Sequence, residues 1–470
     1  MTQRIVLNPI TRISGFMEID ATIENNTVID AKTKGLFFRG FEKILHGRKT
    51  FDAIYYTQRI CGICSTAHSV ASTLALENAI GITPNEQGKY LRDILHGCEF
   101  LQNHIRHFYQ YTLLDFVRLP EDYPLYVNEH DDFRLPKRKN DELAGHYFES
   151  LDISRSAHQM LALLGGKMPH NHGIFVGGIT GQATLDKITK MKSILHKIRR
   201  FITEKMVSDV YSIAQYYGDY YSLGGGYGNF LSYGCFNGYK EFGTLYVNPK
   251  VYVQGKENIF NPVKITEEID YSWYVDKKDS YKPMETVPEA DMDKINAYSW
   301  VKAPRYNGLT CEVGPLARQW LCGDYRNGIS TMDRIIARVL EARKIAEIIG
   351  VLMENITSGV SMQKEYTIPD FSQGTGLVDT TRGALGHWLK INNGTISFYQ
   401  IITPSAWNLS TRGNNNLMGA AEQALIGTNI QTIENPIELG RIIRSFDPCV
   451  SCATHVYSEG EYVKTIQVVP

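Results

Sequence analysis

The sequence has 470 residues, of which 43% are hydrophobic and 21% are charged, so it is long and apolar enough to bury a large core. Its 49 basic and 50 acidic residues give a formal net charge of −1, which offers no basic surplus for binding nucleic acid or an anionic membrane. Residues 1–8 lack the pattern of an export signal, and no apolar run reaches the roughly 18 residues of a membrane span, so we expect membrane association only through a partner.

The first predicted element is a β-hairpin. Apolar and polar residues alternate over 17–23, turn residues follow at 24–26, and the strand pattern resumes over 27–29. A helix is predicted to follow from Ser65, a good N-cap residue, because apolar residues recur at helical spacing up to Ile80.

Three long stretches, 87–119, 186–217 and 331–356, have helical periodicity and are long enough to pack side by side as a bundle. Between them, residues 224–302 are rich in Gly, Tyr and Asn, which indicates an irregular segment laid over the bundle. Short strands are predicted around 395–402, and helices over 417–425 and 436–445. We see no internal repeat or clear linker. The predicted fold class is α+β, mostly α, as one large domain around a long-helix bundle with small peripheral β elements.

Two Cys-x-x-Cys pairs lie near opposite ends of the chain, Cys61 with Cys64 and Cys449 with Cys452. Four thiolates brought together form a soft, anionic site that selects zinc, an iron–sulfur cluster, or nickel and iron over hard cations. Spacing alone leaves a structural zinc site as an equal alternative. Independent redox dithiols would need a thioredoxin-like βαβ context, which is not seen.

The remaining four cysteines are far apart in the sequence, and we interpret them as small buried apolar side chains. They are Cys98, Cys235, Cys311 and Cys322.

The residues around each Cys-x-x-Cys pair favour one of these metal sites. Residues 59–68, RICGICSTAH, and 445–455, SFDPCVSCATH, closely resemble the two signature motifs of the nickel–iron hydrogenase large subunit. The resemblance extends to residues 36–42, 170–178, 298–316 and 404–409. It is closest to the respiratory, hydrogen-uptake branch of the family. It implies that family's fold over residues 1–455.

The resemblance implies that all four cysteines bind nickel, and that Cys64 and Cys452 also bridge to an iron carrying carbon monoxide and cyanide. A nearby magnesium ion is expected on Glu42, the backbone carbonyl of Ile401 and His455, a set of ligands that suits a harder ion.

Arg382 matches the arginine poised over the open metal position, with Asp115 and Asp447 expected to hold it in place. An ordinary buried ion-pair network is the alternative for these three residues. Thr381 stands where the family usually has proline, which places a hydroxyl near the iron and its cyanide.

His68 follows Cys64 by one helical turn and is expected to tune the metals by donating to a thiolate, with a satisfied core histidine as the equal alternative. Ser405 is a candidate donor to a cyanide, although serine after proline is also common in turns.

One position departs from the family in a way that affects proton transfer. Where this chain has Ser14, the family has a glutamate that receives the proton from the cysteine matching Cys449. A serine hydroxyl relays a proton but does not hold one near neutral pH, so we expect a route through Ser14 and water to another acid, with Glu18 as a candidate.

Residues 456–470 resemble the extension that family precursors lose, after nickel insertion, to a maturation endopeptidase that cuts here after His455. A permanent short hairpin is the alternative. Hydrogen-sensing relatives generally lack this extension, so the tail favours the enzyme over the sensor.

The function implied by the resemblance is reversible heterolytic cleavage of H2 into protons and electrons. Because the chain has no further cysteine grouping, iron–sulfur clusters are expected only in a small-subunit partner, which receives the electrons. That partner's export signal would place the complex in the periplasm or at the membrane. Nickel-insertion proteins are further expected partners.

Overall fold

A computed structural model of the chain describes residues 2–123, 130–285, 289–357 and 365–450. Helices and small antiparallel sheets are distributed along these ranges. The helices are Phe41–Leu45 (α1), Asp52–Thr57 (α2), Ser65–Ile80 (α3), Glu86–Arg106 (α4), Lys137–Gly165 (α5), Leu185–Phe201 (α6), Val207–Tyr216 (α7), Pro315–Cys322 (α8), Thr331–Glu354 (α9), Pro404–Asn408 (α10), Ala420–Leu425 (α11) and Ile437–Ser445 (α12).

The strands are short, and all of their pairings are antiparallel. They are Thr2–Leu7 (β1), Met17–Glu24 (β2), Thr27–Gly35 (β3), Ile174–Phe175 (β4), Gly178–Ile179 (β5), Phe230–Ser232 (β6), Lys250–Val253 (β7), Lys256–Ile259 (β8), Ile265–Glu268 (β9), Ala303–Tyr306 (β10), Phe371–Thr380 (β11), Gly383–Asn392 (β12) and Thr395–Ile402 (β13). The predicted class, mostly α with small β elements, is confirmed.

Long helices form the centre of the molecule. Helix α4 packs against α5 and α9, and α6 packs against α5 and α9. Their apolar faces belong to one large core that also contains the first three site cysteines. The three predicted long helices are present, whereas α5, the longest helix described, was not predicted. Its first half is strongly polar and exposed, which weakens the helical apolar pattern in the sequence.

Helix α4 changes its winding where it approaches the site. It continues as a π-helical segment over His107–Thr112 and ends in a 3₁₀ turn over Leu113–Asp115. The three windings follow one another without a break, so the sequence pattern over 87–119 predicts a single helix. Only its first part, Glu86–Arg106, is α-helical. π-Helical segments of this kind are frequent at functional sites.

The predicted N-terminal hairpin is confirmed as β2 and β3. Asn25 and Asn26 form its two-residue turn with φ of 50° and 62°, the left-handed region that Asn tolerates best after Gly. Strand β1, which was not predicted, pairs along the outer edge of β2.

The C-terminal sheet has the strand order β11, β12, β13, although only the last of these strands was predicted. Gly374 and Gly376 of β11 lie directly against the backbone of α3, because a Cβ at either position would be 2.0 Å from a carbonyl oxygen of that helix. The sheet is therefore seated on the helix that follows the first cysteine pair.

Within the described ranges, no helix is long and apolar enough to cross a membrane.

Candidate metal centre

The structure brings the two ends of the chain together at a cluster of buried thiols. Cys61, Cys64 and Cys449 place their sulfur atoms within 4.8 Å of one another. The Sγ atoms of Cys61 and Cys449 are 3.2 Å apart, which is too long for a disulfide and suits two ligands of one metal. The fourth cysteine, Cys452, lies outside the described residues, as do His455 and the tail.

Cys449 is placed by the N-terminal segment. The N–H of Ser14 donates to the Pro448 carbonyl at 3.1 Å, and the N–H of Val450 donates to the Ser14 carbonyl at 2.8 Å. The Cys449 N–H donates to Ser405 Oγ at 3.0 Å. Ser405 is thus tied to the backbone of this cysteine, and its hydroxyl proton is left to donate elsewhere.

Ser14 lies beside the thiol, as the sequence led us to expect. Its Oγ is 3.7 Å from the Sγ of Cys449, within reach of a hydrogen bond to sulfur. Glu18 lies on β2, where its carboxylate binds Lys34 at 2.5 Å and accepts from Asn8 at 2.8 Å.

The first cysteine pair occupies the turn that enters α3. The N-cap is Cys64, so the prediction that Ser65 caps this helix is wrong by one residue. Ser65 Oγ instead accepts the N–H of His170 at 3.0 Å. The N–H groups of Ile63 and Cys64 lie 3.3 and 3.4 Å from Cys61 Sγ, and such donors stabilise a thiolate.

Arg382 lies at the tip of a β-hairpin, since Thr380 pairs with Gly383 across a two-residue turn. The turn packs closely against residues 313–314, where a Cβ on Gly383 would lie 2.4 Å from Val313 Cγ2. This close approach requires glycine. It also fixes the buried guanidinium of Arg382 next to the thiols, whose charges, together with that of Asp447, raise the arginine's pKa despite burial.

Asp447 is the carboxylate that binds Arg382. Arg382 Nη2 lies 3.0 Å from Asp447 Oδ1, and its Nε donates to the Asp447 carbonyl at 3.0 Å. Arg338 Nη1 binds the other carboxylate oxygen at 3.1 Å. Burial alone would raise the pKa of the Asp447 carboxyl, but the charges of Arg382, His107 and Arg338 outweigh burial and lower it.

The second group on Arg382 is Asn103 of α4, and not Asp115 as expected. Asn103 Oδ1 accepts from Arg382 Nη2 at 3.0 Å and from Arg106 Nη2 at 3.1 Å, while its Nδ2 donates to Asp447 Oδ2 at 2.8 Å. An amide can accept from two cations and donate to an anion at once, which a carboxylate cannot do.

Asp115 belongs to a neighbouring ion-pair cluster. It binds Arg444 at 2.5 and 2.8 Å and Arg12 at 2.7 Å, because the 3₁₀ turn after the π-helical segment aims it toward α12. Burial alone would raise the pKa of this carboxyl, but the charges of Arg12 and Arg444 lower it below the ordinary value. This is the buried network that the sequence left open as the alternative.

Replacing Asp115 with asparagine should remove stability in a pH-dependent way. A carboxyl whose pKa is depressed by folding stabilises the fold above its unfolded pKa of about 4, and this contribution is lost as pH falls. We expect the variant to be less stable by about 3–5 kcal/mol near neutral pH, with a smaller difference below about pH 4. Chemical unfolding of both proteins across pH measures this; a difference independent of pH would contradict it. Asp152→Asn is the control, because Asp152 forms an exposed ion pair with Arg155.

Two buried polar atoms at the hairpin tip have no hydrogen-bond partner among the described residues. They are Arg382 Nη1 and Thr381 Oγ1. Burying such atoms without a partner is costly, so they indicate a place where a further polar group binds.

His68 begins a buried hydrogen-bonded chain. Its Nδ1 is 3.1 Å from His387 Nε2, and His387 Nδ1 is 2.8 Å from the hydroxyl of Tyr399, which donates to Ser72 Oγ at 3.1 Å. Burial lowers the pKa of His68 to about 4 and also lowers that of His387. Both rings are therefore neutral near pH 7, and their hydrogen bonds fix the orientation of His68.

Glu42 and Ile401 line a cavity of about 60 Å³ that also reaches Cys449. Glu267 faces the same cavity, with Oε2 bound to Lys302 at 2.8 Å and Oε1 buried without a partner in the described chain. The Ile401 N–H is held by Gln400 at 3.0 Å, which orients this peptide. The charged residues that line the cavity are two carboxylates, Glu42 and Glu267, and two basic residues, Arg39 and Lys302.

Comparison with known proteins agrees with this geometry. The family model described as nickel-dependent hydrogenase matches residues 39–122 and 123–455. The chain belongs to the nickel-dependent hydrogenases. The periplasmic [NiFeSe] hydrogenase large subunit of Desulfomicrobium baculatum is 33% identical over 96% of this chain and 95% of that protein. The hydrogenase-2 large chain of Escherichia coli K12 is 30% identical over the full length of both.

The fold of this hydrogenase also matches solved structures. The reduced Ni-Fe-Se hydrogenase from D. vulgaris Hildenborough aligns with a TM-score of 0.93 and 37% identity, covering 97% of this chain and 100% of that chain. The H2-activated enzyme from Dm. baculatum aligns with a TM-score of 0.93 at 33% identity, with the same coverages.

The side chains present fit a bimetallic group of this family. The buried thiols supply soft ligands, and the unpartnered atoms of Thr381 and Arg382 supply donors beside them. The cavity at Glu42 supplies oxygen ligands for a hard ion.

Sequence reasoning missed several residues that complete the site. Asn103 and Arg338 lie on long helices, where periodicity marks them only as inward-facing polar positions. Glu267 and Lys302 lie in the irregular segment over 224–302. For Asn103 and Arg338, the one signal in the sequence is a polar residue at a helix position that faces the core.

Proposed function

We propose that the chain is the catalytic large subunit of a nickel–iron hydrogenase, which splits H2 heterolytically into protons and electrons. The observation that carries this proposal is the buried cluster of Cys61, Cys64 and Cys449 beside the Arg382 guanidinium. Membership in the nickel-dependent hydrogenases supports it. Such a cluster needs both ends of the chain, which suits a centre that is completed late in folding.

The proposed nickel ligands are the three described thiols with Cys452, and Cys64 and Cys452 would also hold an iron with carbon monoxide and cyanide. When bound, this group supplies the redox chemistry of hydrogen. Several relatives have NiFeSe in their names, but this chain has cysteine at all four positions, so we propose a donor set of four sulfurs. Thr381 and Ser405 offer hydroxyls as donors to the cyanides.

Arg382 is proposed to present Nη1 to the hydrogen-binding position. Asp447 and Asn103 bind the Nε and Nη2 groups of its guanidinium, which leaves Nη1 without a partner in the described chain. Because the side chain is already fixed, no further side-chain entropy is lost during turnover. Being buried, the charge acts in a medium of low dielectric constant, where it stabilises developing negative charge strongly.

Ser14 is proposed to relay the proton that leaves Cys449. The 3.7 Å separation between Oγ and Sγ supports a direct transfer to the hydroxyl. A hydroxyl passes one proton on as it takes another, so the acid that finally holds it lies further along. Glu18 remains the candidate, and its carboxylate binds Lys34.

Replacing Ser14 with alanine should slow hydrogen uptake by about 100-fold, the lower end of what a positioned proton-transfer group contributes. Nickel content should not change, because the Ser14 backbone still pairs with residues 448 and 450. Uptake with an artificial dye as acceptor measures the rate. Ser14→Thr keeps the hydroxyl and is the control; equal rates for Ser14→Ala and the unaltered enzyme would remove Ser14 from the proton route.

A magnesium ion is proposed in the cavity at Glu42, held also by the Ile401 carbonyl and by His455. Glu267 and Lys302 line the same cavity and would bind its waters, which suits an ion that keeps several waters.

Electrons are proposed to leave through an iron–sulfur small subunit. Several relatives are named as large subunits or large chains, which supports a two-subunit enzyme. We further propose nickel-insertion proteins and an endopeptidase that removes residues 456–470. The periplasmic name of the D. baculatum relative supports a periplasmic location, reached through the partner's export signal.

The test is hydrogen-dependent reduction of an artificial dye by the purified two-subunit enzyme, together with metal analysis. Uptake with nickel present is the expected result. Zinc in place of nickel, without uptake, would overturn the proposal in favour of a structural zinc protein.

A further inference from the structure

Helix α3 begins without a side-chain cap of its own. Its N-cap is Cys64, which makes no side-chain hydrogen bond to the first turn. The first N–H groups of a helix have no partners within it, and Ser, Thr, Asp or Asn usually supply one. Here the N-cap side chain is a proposed metal ligand, so the cap must come from elsewhere.

Glu99 of the neighbouring helix α4 supplies that cap. Its Oε2 accepts the N–H of Thr66 at 2.7 Å, and its Oε1 accepts the N–H of Ala67 at 2.9 Å. The hydroxyl of Thr66 also hydrogen-bonds to this carboxylate, while Asn171 Nδ2 lies 3.4 Å from the same hydroxyl oxygen. Glu99 is 0% exposed, so this contact is made entirely inside the protein.

Burying a carboxylate without a cation beside it is costly. Glu77 on α3 is also buried, but it has a cation as its partner. Glu77 is bound by the guanidinium of Arg92 at 2.6 and 2.9 Å, a charge that offsets its desolvation. The donors to Glu99 are neutral groups of the helix terminus, whose partial positive charge compensates less. Burial accordingly raises the pKa of the Glu99 carboxyl to about 7, although the N–H groups of Thr66 and Ala67 lower it.

We propose that Glu99 is a positioning residue for the metal centre. It caps α3 in place of Cys64, and it thereby holds the turn carrying Cys61 and Cys64 at the right place opposite Cys449. The proposal rests on the proposed function, because it takes these cysteines as ligands.

The test is Glu99→Gln in the purified two-subunit enzyme. An amide keeps one acceptor oxygen but turns an NH2 group toward the other backbone N–H, so one cap hydrogen bond is lost. We expect the infrared bands of carbon monoxide and cyanide to shift, and nickel to be lost to a chelator about tenfold faster.

Glu77→Gln is the matched control, since it alters another buried carboxylate linked to the same helix. It should lower the thermal midpoint while leaving the bands and nickel retention at wild-type values. If Glu99→Gln does not fold, Glu99→Asp is tested in the same way, because it keeps a carboxyl group and is too short to reach both N–H groups.

Wild-type bands and nickel retention in the folded Glu99 variant, or bands shifted equally in Glu77→Gln, would overturn the inference. An unaltered enzyme without carbon monoxide and cyanide bands would overturn the proposed function instead. The two failures are thus distinguishable.

Discussion

Serine in place of Cys449 is expected to leave the purified protein without nickel and without hydrogen uptake. A serine hydroxyl is a hard donor that stays protonated near neutral pH, so it does not replace a thiolate on nickel. Cys61→Ser should have the same effect, because the two sulfur atoms are 3.2 Å apart and belong to one site. Metal analysis and dye-linked uptake measure both losses.

Cys322→Ser is the matched control. Cys322 is one of the lone cysteines, it is only partly buried, and its thiol lies 3.5 Å from the Gln319 carbonyl. Its replacement should leave nickel content and uptake unchanged. Full nickel content in either Cys61→Ser or Cys449→Ser would mean that the two ends of the chain do not form one site.

Lysine in place of Arg382 should slow hydrogen uptake by about 100-fold or more while nickel content stays unchanged. Lysine keeps the positive charge but not the planar fork, so it cannot bind Asn103 and Asp447 and also offer a free N–H at the Nη1 position. Loss of one preorganised hydrogen-bond donor typically lowers the rate by a factor of this order. Uptake per nickel is the quantity to compare.

Arg338→Lys separates this effect from damage to the ion pairs. Arg338 binds the same Asp447 carboxylate at 3.1 Å, and the largest charge effects on it are those of Asp447, Arg382, Glu341 and Arg318. We expect lower thermal stability and less than about a tenfold change in uptake. Equal rate losses in both variants would show that Arg382 acts only by holding Asp447.

The sequence predicted those parts of the fold that repeat a local pattern. The hairpin was predicted over residues 17–29 because alternation and an Asn-Asn turn agree with each other, and the structure extends it to residue 35. The long helices were predicted because apolar periodicity persists over many turns. Helix α5 lacked such a pattern in its polar first half. Strand β11 was missed because it lies against α3 through Gly374 and Gly376, and glycines carry no strand signal.

For the site, the sequence identified the residue types that a metal requires but not the contacts between distant segments. Three of the four paired cysteines, Cys61, Cys64 and Cys449, are brought together with Ser14 and Arg382 as expected. Asp115 was assigned to Arg382 because the resemblance to the family placed it at a position expected to hold this arginine. The π-helical segment after α4 turns it toward Arg444, and Asn103, about three turns earlier, takes the place beside Arg382. A change of winding of this kind depends on tertiary packing.

The infrared spectrum of the purified enzyme, taken with its nickel and iron content, tests the central claim most directly. A bimetallic centre on the cysteines of both chain ends predicts nickel and iron in equal amounts in the large subunit, with bands from iron-bound carbon monoxide and cyanide. Zinc in place of nickel, with no such bands, would contradict it.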